Sequence, residues 1–368
     1  MKVYLVGGAV RDALLGLPVR ERDWVVVGAT AEQMVAQGYR CVGKHFPVFL
    51  HPESHEEYAL ARTESKTAPG YRGFSVQTGP QVSLKMDLQR RDLSINAMAQ
   101  AKNQTLVDPF GGGADLAARS LRHVSPAFAE DPVRVLRLAR FAARFWPLGF
   151  RVHASTRTLV RRMAAGGELD ALVPERCWQE LRRALLTAHP EVFFKTLADC
   201  EALAAVFPEL DAGGRDFGLG LAALQSSTRV CASPAVRLAA FTTVALDPGR
   251  SDSLAKRLRL PREVRDALLL SQRVQDDLPI GQGTPEAWMR LLEHSDSLRQ
   301  PKRFFQALFA VHAARGQFPP CLSAAVGALR TLRQVDVTAL LKQGHHGPGL
   351  AQALREARVQ ALRAGEGP

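Results

Sequence analysis

The stretch that decides the fold is MKVYLVGGAVRDALLGLPVRERDWVVVGA, residues 1–29 of a chain of 368. The run KVYLV predicts a short buried strand, Gly7 and Gly8 predict a turn, and AVRDALLG predicts a helix directly after it. The valine run that begins after Trp24 predicts a second strand. Glycines let the backbone approach a ligand closely, and a helix start offers unpaired N–H groups. The turn is therefore a candidate phosphate site with Arg11 as its charged partner, although a plain turn without a ligand explains the glycine pair as well.

Two carboxylates, Glu21 and Asp23, lie one residue apart where the second strand begins. Side chains at i and i+2 of a strand leave on one face, so these two can converge while Arg22 turns away. Paired carboxylates repel each other unless a cation lies between them. A small set of oxygen ligands suits Mg²⁺, which completes its shell with water and substrate phosphates. The alternative is a solvated turn that Arg20 and Arg22 neutralise.

The bulk composition limits the classes of function. The chain has 48 Lys and Arg against 36 Asp and Glu, a formal net charge of +12, which favours a polyanionic partner such as nucleic acid. No apolar run approaches the roughly 20 residues that span a bilayer, and MKVYLVGG does not resemble a signal peptide. The five cysteines are scattered without a C-x-x-C pair, so we expect reduced thiols in a cytoplasmic protein, with neither disulfides nor zinc.

The chain has two parts that differ in their predicted secondary structure. Up to about residue 125, strand-like runs (KVYLV, WVVVG, VFLH, YALAR, FSVQT and TLVDP) alternate with short helical pieces. Beyond that point strand signals nearly vanish, and three glycine-rich spots, 111–113, 166–167 and 213–220, are candidate joints. Amphipathic helices are predicted around residues 131–146, 154–165, 174–188, 190–205, 234–246, 261–277, 301–314 and 350–363.

The order of motifs resembles one known family. GGAVRD, a short spacer and an acid-x-Asp before a valine strand are similar to the DNA-polymerase-beta-like nucleotidyltransferase head. More narrowly, the chain resembles the class II tRNA nucleotidyltransferases, the bacterial CCA-adding enzymes, and their poly(A) polymerase relatives. The similarity continues through VGKHFPVFLHP, ARTESKTAPGYRGF, LQRRDLSINAMA, LVDPFGGGADL and LRHVSPAFAEDPVRVLRLARFAARF, and extends more loosely to about residue 210.

The resemblance implies an α+β fold with a nucleotidyltransferase α/β head followed by an all-helical neck, body and tail. We expect the catalytic head at 1–125 and a neck that reads the nucleotide base and binds RNA at 126–210. The remainder, 211–368, is expected to be a helical body and tail with a degenerate HD-like region that binds tRNA.

The segment AEDPVRVLRLAR carries the next group of candidates. Asp131 suits a helix N-cap and Pro132 a first helical position, so a helix is predicted to begin here. The resemblance implies that Asp131 and Arg134 form a protein template for the incoming base, with Arg137 and Arg140 on the triphosphate. A basic stripe on a solvated helix face is the alternative.

The segment RRDLSINA supplies Arg91, which the resemblance implies contacts phosphate or ribose, and Asp92, which can accept a bond from a 2′-hydroxyl. The alternative for Arg91 is a surface ion pair with Asp87 or Asp92. The polar stretch ESKTAPGYRGF, residues 64–74, looks like the family's flexible loop. Its presence argues against an enzyme that adds only the two cytidines.

The reaction that the resemblance implies is template-independent addition and repair of the 3′-terminal CCA of tRNA, from CTP and ATP with release of pyrophosphate. Glu21 and Asp23 would be catalytic and hold Mg²⁺. Gly8, Arg11, Arg91, Asp92, Asp131, Arg134, Arg137 and Arg140 would bind the nucleotide. The partners would be the acceptor arm and 3′ end of tRNA, with no membrane and no obligate protein partner. The alternatives are a poly(A) polymerase of the same family and an inactive RNA-binding homologue.

Two further expectations concern the helical part. Its arginines could bind the phosphates of the acceptor arm: Arg151, Arg157, Arg161, Arg162, Arg176, Arg182 and Arg183. Many bacterial relatives carry a phosphohydrolase domain with spaced histidines and a His-Asp doublet, but this sequence contains no His-Asp dipeptide. We therefore expect no phosphatase or cyclic phosphodiesterase activity.

Overall fold

The computed structural model of the chain describes residues 1–42, 48–66, 74–279, 283–315 and 321–364. The described chain divides into two compact units, Met1–Pro208 and Glu209–Pro368. The expected head, 1–125, and neck, 126–210, thus fall almost entirely in the first unit, and the expected body and tail fall in the second. The division between head and neck stays a prediction.

The first unit combines strands and helices. Its strands are β1 (Lys2–Val6), β2 (Asp23–Val27), β3 (Arg40–Cys41), β4 (Val48–Leu50), β5 (Glu57–Leu60), β6 (Arg62–Lys66), β7 (Phe74–Thr78), β8 (Ala99–Ala101), β9 (Leu106–Val107), β10 (Ser120–Leu121) and β11 (Arg151–Val152). Its helices are α1 (Gly8–Leu14), α2 (Ala31–Ala36), α3 (Leu84–Gln89), α4 (Gly112–Ala117), α5 (Val133–Phe145), α6 (Ala154–Ala165), α7 (Pro174–Leu185), α8 (Glu191–Asp199) and α9 (Leu203–Val206). Short 3₁₀ turns lie at Ser94–Asn96, Pro126–Glu130, Trp146–Leu148 and Glu168–Ala171.

A mixed sheet organises the head. Among the described residues, it has seven strands in the order β3-β4-β5-β2-β1-β8-β9. β1 pairs antiparallel with β2 and β8, whereas β2 pairs parallel with β5. The valines of β2 are buried on both faces: Val25 packs with Val6 and Leu88, and Val26 packs with Met34 and Phe49. A strand covered on both faces reads as a continuous apolar run, which explains the sequence WVVV.

The helices of the first unit follow an amphipathic pattern. On α5 the apolar residues Val135, Leu138 and Ala142 are buried, while the arginines of the same helix point to one side. α5 packs against α7 and α8. The rings of Phe141 and Phe145 stack with their centroids 5.9 Å apart, and Phe141 lines the cleft described below.

The second unit is helical throughout the part that the structure describes. Its helices are α10 (Arg215–Val230), α11 (Pro234–Ala245), α12 (Pro248–Arg257), α13 (Arg262–Asp277), α14 (Pro285–His294), α15 (Pro301–Arg315), α16 (Cys321–Gln334), α17 (Val337–Lys342) and α18 (Gly347–Ala364). None of the described helices has the length and apolarity to cross a bilayer. The α+β class with a helical body is the one expected from the sequence.

Several local expectations are wrong. The segment 213–220 is not simply a joint, because residues from Arg215 onward form α10. Gly220 lets α10 pack closely against α11, because a Cβ at this position would lie 2.8 Å from the Cβ of Ala245. Helices α10, α12, α14, α16 and α17 were missed, although Asp247 and Thr284 are recognisable N-caps whose side chains accept bonds from backbone N–H groups.

Two other boundaries differ from expectation. The helix predicted over 190–205 is two helices, α8 and α9, because Glu201 takes a left-handed conformation (φ +55). Strand β11, in the region expected to be wholly helical, pairs parallel with β10. The glycines at 111 and 167 do lie at element ends with positive φ. The last residues, 365–368, lie outside the described residues.

Candidate active site

A polar cleft of about 710 Å³ opens in the first unit. Among the described residues, ten arginines and four carboxylates line it, together with two glycines, an asparagine and a phenylalanine. The residues predicted from the sequence all lie in this lining: Gly8, Arg11, Glu21, Asp23, Arg91, Asp92, Asp131, Arg134, Arg137 and Arg140. The structure therefore brings together residues from segments more than a hundred positions apart.

The sheet places the glycine turn beside the acid pair. Because β1 and β2 are antiparallel, Val6 at the end of β1 lies opposite Asp23 at the start of β2. Gly7 follows with φ +67, a conformation that favours glycine, and its N–H donates to the carbonyl of Met98 across 3.2 Å. Helix α1 begins at the next residue, so turn, helix start and acids share one edge of the sheet.

Glu21 and Asp23 lie exposed at the rim of the cleft. Desolvation by the surrounding protein raises the pKa of Asp23, Arg91 lowers it, and the negative charge of Glu21 raises it again, so that the net pKa is above the ordinary value. Arg22 turns away, as expected, and pairs with Glu56 at 3.7 Å.

The two carboxylates fit a divalent cation that is shared with a substrate. Within the part of the chain that the structure describes, neither carboxylate has an ion-pair or hydrogen-bond partner, and no cluster of three or more metal-ligating side chains occurs. Two unpaired carboxylates match the ligand set of a hard cation that takes its other ligands from water and phosphate oxygens.

Arg91 lies between the turn and the acids. Its Nη2 donates to Asp87 at 3.1 Å, and Arg90 bonds the same buried carboxylate at 2.8 Å. Burial raises the pKa of Asp87, but Arg91 and Arg90 outweigh that effect and hold it below the ordinary value. The ion pair considered as an alternative for Arg91 therefore exists, yet Arg91 also lines the cleft. Its Nη1 lies 2.8 Å from where a Cβ on Gly7 would be.

Asp92 is buried, and both of its oxygens accept hydrogen bonds from the protein. Its Oδ1 accepts from the N–H of Leu93 and from Nδ2 of Asn96, at 2.8 and 3.0 Å. Its Oδ2 accepts from Nε of Arg137 at 2.7 Å. Desolvation raises the pKa of Asp92, but Arg137 and these bonds hold it well below its usual range. Asp92 therefore stays ionised and fixes the guanidinium of Arg137 at the cleft wall.

The side chain of Arg11 is buried and already bonded to protein groups. It is 3% exposed, donates to Asp12 and to Asn96, and lies 5.2 and 5.0 Å from the ring centroids of Phe141 and Phe145. Burial lowers its pKa, an effect that Asp12 partly offsets. Arg144 bonds the other oxygen of Asp12 at 2.8 Å. Arg11 thus contributes positive charge to the cleft from a fixed position.

Glu180 on α7 holds two further arginines of the cleft, as Asp12 holds Arg11 and Arg144. Its Oε2 accepts from Nε of Arg140 and its Oε1 accepts from Arg183 at 3.2 Å. The Arg140 guanidinium also lies 4.2 Å from the ring centroid of Phe141. Desolvation lowers the pKa of Arg140, and Glu180 partly offsets this. In each pair, one guanidinium nitrogen donates to Glu180, and the other N–H donors stay available to the cleft.

The helix that carries Arg134 begins as the sequence suggests. Pro132 has helical angles, and Oδ1 of Asp131 accepts from the N–H of Val133 at 3.1 Å. Arg134 is largely buried and donates to the carbonyls of Ala127 and Arg90. Asp131 is bonded on both oxygens by Arg176, at 3.1 and 2.9 Å.

Several residues of this site were missed or misplaced by sequence reasoning. Arg176 and Arg183 were expected among the contacts to RNA, but they line the cleft. Glu180 was missed, and the spacing of 176, 180 and 183 on one helix face could have revealed all three together. Arg62, Arg90, Asn96, Phe141 and Arg144 also line the cleft. Most of the loop expected to be flexible lies at 67–73, outside the described residues.

Comparisons with known proteins cover nearly the whole chain. A family model described as "Poly A polymerase head domain" matches residues 3–122, and one described as "Probable RNA and SrmB- binding site of polymerase A" matches residues 149–213. A multifunctional CCA protein of Thioalkalivibrio sulfidiphilus is 48% identical over 99% of this chain and 98% of that protein. A CCA-adding enzyme of Coxiella burnetii is 47% identical over 99% of this chain and 95% of that protein.

The fold has a counterpart among solved structures. The crystal structure of the Bacillus stearothermophilus CCA-adding enzyme in complex with CTP superposes with a TM-score of 0.68 and 25% identity. That superposition covers 98% of this chain and 89% of the other.

Proposed function

Because the chain belongs to the CCA-adding enzymes, tRNA nucleotidyltransferases with the poly A polymerase head, we propose that its arginine-lined cleft holds CTP or ATP against the 3′-hydroxyl of tRNA. The protein adds the CCA sequence to tRNA; the assignment of individual residues to steps of that reaction is our proposal. The observation that carries it is the convergence of the glycine turn, the acid pair and the arginines of α5 in one cleft.

The triphosphate lies, in this proposal, along Arg91, Arg137 and Arg140 with the backbone of Gly8 beside it. Arg11 supplies charge from behind. Arg137 and Arg140 each donate one Nε bond to a buried carboxylate, which fixes the guanidinium plane before substrate arrives. Oriented guanidinium forks suit phosphate oxygens, and they neutralise the pyrophosphate as it leaves.

Glu21 and Asp23 hold the divalent cation, which we propose is Mg²⁺. Once held there, such a cation would supply charge neutralisation for the triphosphate and for an ionised 3′-hydroxyl. No histidine is required as a general base in this arrangement.

Base selection is assigned to Asp131 and Arg134. Cytosine and adenine each carry an exocyclic amine beside an unprotonated ring nitrogen. A carboxylate accepts from the amine, while a guanidinium donates to the ring nitrogen or an adjacent carbonyl. Uracil and guanine present the opposite pattern and would leave buried polar groups unpaired. Asp92 can accept from the ribose 2′-hydroxyl through the lone pair that Arg137 leaves on Oδ2.

One assay tests the proposal. tRNA that lacks its 3′ end is incubated with each labelled nucleotide and Mg²⁺. Incorporation of CTP and ATP that stops at three residues supports it. Long tails made from ATP alone would instead indicate a poly(A) polymerase, and no incorporation would indicate an inactive RNA-binding homologue.

Three further assignments stay proposals. The neck and the helical body bind the acceptor arm of tRNA, and a tRNA substrate suits a cytoplasmic protein. We also propose that the chain has no HD-type phosphohydrolase activity, because it contains no His-Asp dipeptide. Metal-stimulated release of phosphate from 3′-phosphorylated RNA by the purified protein would contradict that last assignment.

A further inference from the structure

The carboxylate of Asp131 is already engaged before any nucleotide is bound. Arg176, on α7, donates Nη1 to Oδ1 at 3.1 Å and Nη2 to Oδ2 at 2.9 Å. This is a bidentate pair, in which the guanidinium and carboxylate planes are held together. The two side chains are partly buried, with 27% and 20% of their surfaces exposed.

Counting the acceptor sites on Asp131 shows what the pair leaves open. Each carboxylate oxygen accepts about two hydrogen bonds. Oδ1 takes one from Arg176 and one from the N–H of Val133, at 3.1 Å each, and is therefore filled. Oδ2 takes one from Arg176. A single acceptor site is left, on Oδ2, and its direction lies in the plane that Arg176 fixes.

We propose that Arg176 is a positioning residue for base selection, which holds Asp131 so that Oδ2 offers one fixed acceptor to the exocyclic amine of cytosine or adenine. This inference rests on the proposed base-reading role of Asp131. A carbonyl oxygen in place of the amine, as in uracil or guanine, meets an acceptor that cannot turn away. Discrimination therefore depends on the orientation of the carboxylate as well as on its charge.

The chemistry of arginine makes the inference specific. A lysine at position 176 would keep the positive charge, but an ammonium is a point charge and cannot hold two carboxylate oxygens in one plane. Without the clamp, Asp131 can rotate or turn toward the other arginines of the cleft. The acceptor then has no fixed direction, and uracil and guanine are excluded less strictly.

The test measures nucleotide selectivity in the full-length enzyme. The ratio of kcat/KM for CTP over UTP is determined on tRNA awaiting its first C, and that for ATP over GTP on tRNA ending in CC. Arg176→Lys and Arg176→Gln are each expected to lower both ratios about tenfold or more, the contribution of one charge-assisted hydrogen bond. In Asp131→Asn, adding Arg176→Gln is expected to change the ratios no further.

Lys195→Gln is the matched control, because it removes one positive charge from the neighbouring helix α8 at an exposed position outside the cleft lining. Its ratios should equal those of the wild type. Circular dichroism checks that each variant is folded, and Arg176→Lys keeps the test valid should the glutamine variant fail to fold.

The outcomes separate this inference from the proposed function. If the wild type adds CCA and Asp131→Asn loses selectivity while both Arg176 variants keep it, the role of Arg176 is overturned and the function stands. An equal fall in kcat/KM for all four nucleotides also overturns it, since it would assign Arg176 to tRNA binding or structure. If Asp131→Asn keeps full selectivity, base reading by Asp131 fails, and this inference fails with it. A wild type that adds no CCA defeats the proposed function itself.

Discussion

The Nε of Arg137 donates to Oδ2 of Asp92 across 2.7 Å, joining helix α5 to the segment that follows α3. Asp92 raises the pKa of Arg137, and Arg137 together with the bonds from Asn96 and Leu93 lowers the pKa of Asp92. Asp92, which is assigned to the ribose, and Arg137, which is assigned to the triphosphate, are thus coupled through one ion pair. Disturbing either should affect both the triphosphate and the ribose.

Asp92→Asn tests this coupling. The amide removes the charge that orients Arg137, so we expect KM for CTP to rise about tenfold and the preference for CTP over dCTP to fall. Loss of the buried ion pair should also lower the free energy of unfolding by about 1–3 kcal/mol in urea titrations. Asp170→Asn, at an exposed position of the same unit, is the control. An unchanged ratio of CTP to dCTP use would argue against a ribose contact.

Asp23→Asn and Glu21→Gln test the acid pair. Both side chains lie exposed at the rim, and burial of the Asp23 charge already raises its pKa, so neither variant should lose stability. We expect CTP incorporation at saturating Mg²⁺ to fall about a thousandfold or more, because several kcal/mol of transition-state stabilisation are lost. Asp170→Asn and Glu168→Gln are matched exposed controls. Substantial turnover in both active-site variants would count against the metal role.

Gly7→Ala tests the close contact between the turn and Arg91. The new Cβ would lie 2.8 Å from Nη1 of Arg91, at a residue with φ +67. Gly28 offers a matched control, because it has φ +76 and no heavy atom within 4 Å of an added Cβ. Both alanine variants should lose stability from backbone strain, by about 1–3 kcal/mol each. Only Gly7→Ala should also raise KM for CTP, and equal KM values would show that Arg91 has room to move.

Binding of tRNA should depend steeply on salt. Arg151, Arg157, Arg161, Arg162 and Arg182 remain candidates for phosphate contacts outside the cleft. If six or more phosphates are neutralised in all, Kd for tRNA should rise about 10³-fold between 50 and 200 mM salt, as measured by filter binding. Binding of CTP without tRNA, measured in parallel, gives the salt dependence of the cleft alone. A Kd for tRNA that does not respond to salt would reject the electrostatic interpretation.

The pH dependence of thiol alkylation tests whether Cys200 is buried in the folded protein. Burial raises the pKa of Cys200 to about 11, whereas Cys41 is exposed. Only the thiolate is alkylated, so at pH 8 Cys200 should react with N-ethylmaleimide about a hundredfold more slowly than an ordinary exposed thiol. Its rate should rise with pH and reach no plateau below about 11. Mass spectrometry of labelled peptides measures both rates, and urea-denatured protein is the control. Equal rates at Cys41 and Cys200 in the native protein would contradict the burial of Cys200.

The local order of elements could be predicted from the sequence because short-range patterns control it. The strand KVYLV, the glycine turn, the valine strand and the helix after Pro132 follow from periodicity, glycine and N-cap chemistry. The candidate residues of the site were also predictable, since they occur in motifs that resemble one family. Glycines within 213–220 misled the same reasoning, because Gly220 serves the packing of α10 on α11 rather than a turn.

Only the tertiary structure decided which charges meet. The bond from Arg137 to Asp92 depends on α5 lying against the segment that follows α3. Glu180 holds Arg140, and Arg176 clamps Asp131, because α7 lies beside α5 and its N-terminal end. Ion pairing between residues about 40 positions apart leaves no periodic trace in a sequence, because any arginine and any carboxylate are chemically compatible. The amino-acid sequence thus determined which groups the cleft contains, and the packing of the helices determined which of their hydrogen-bonding sites face the protein and which stay open to a nucleotide.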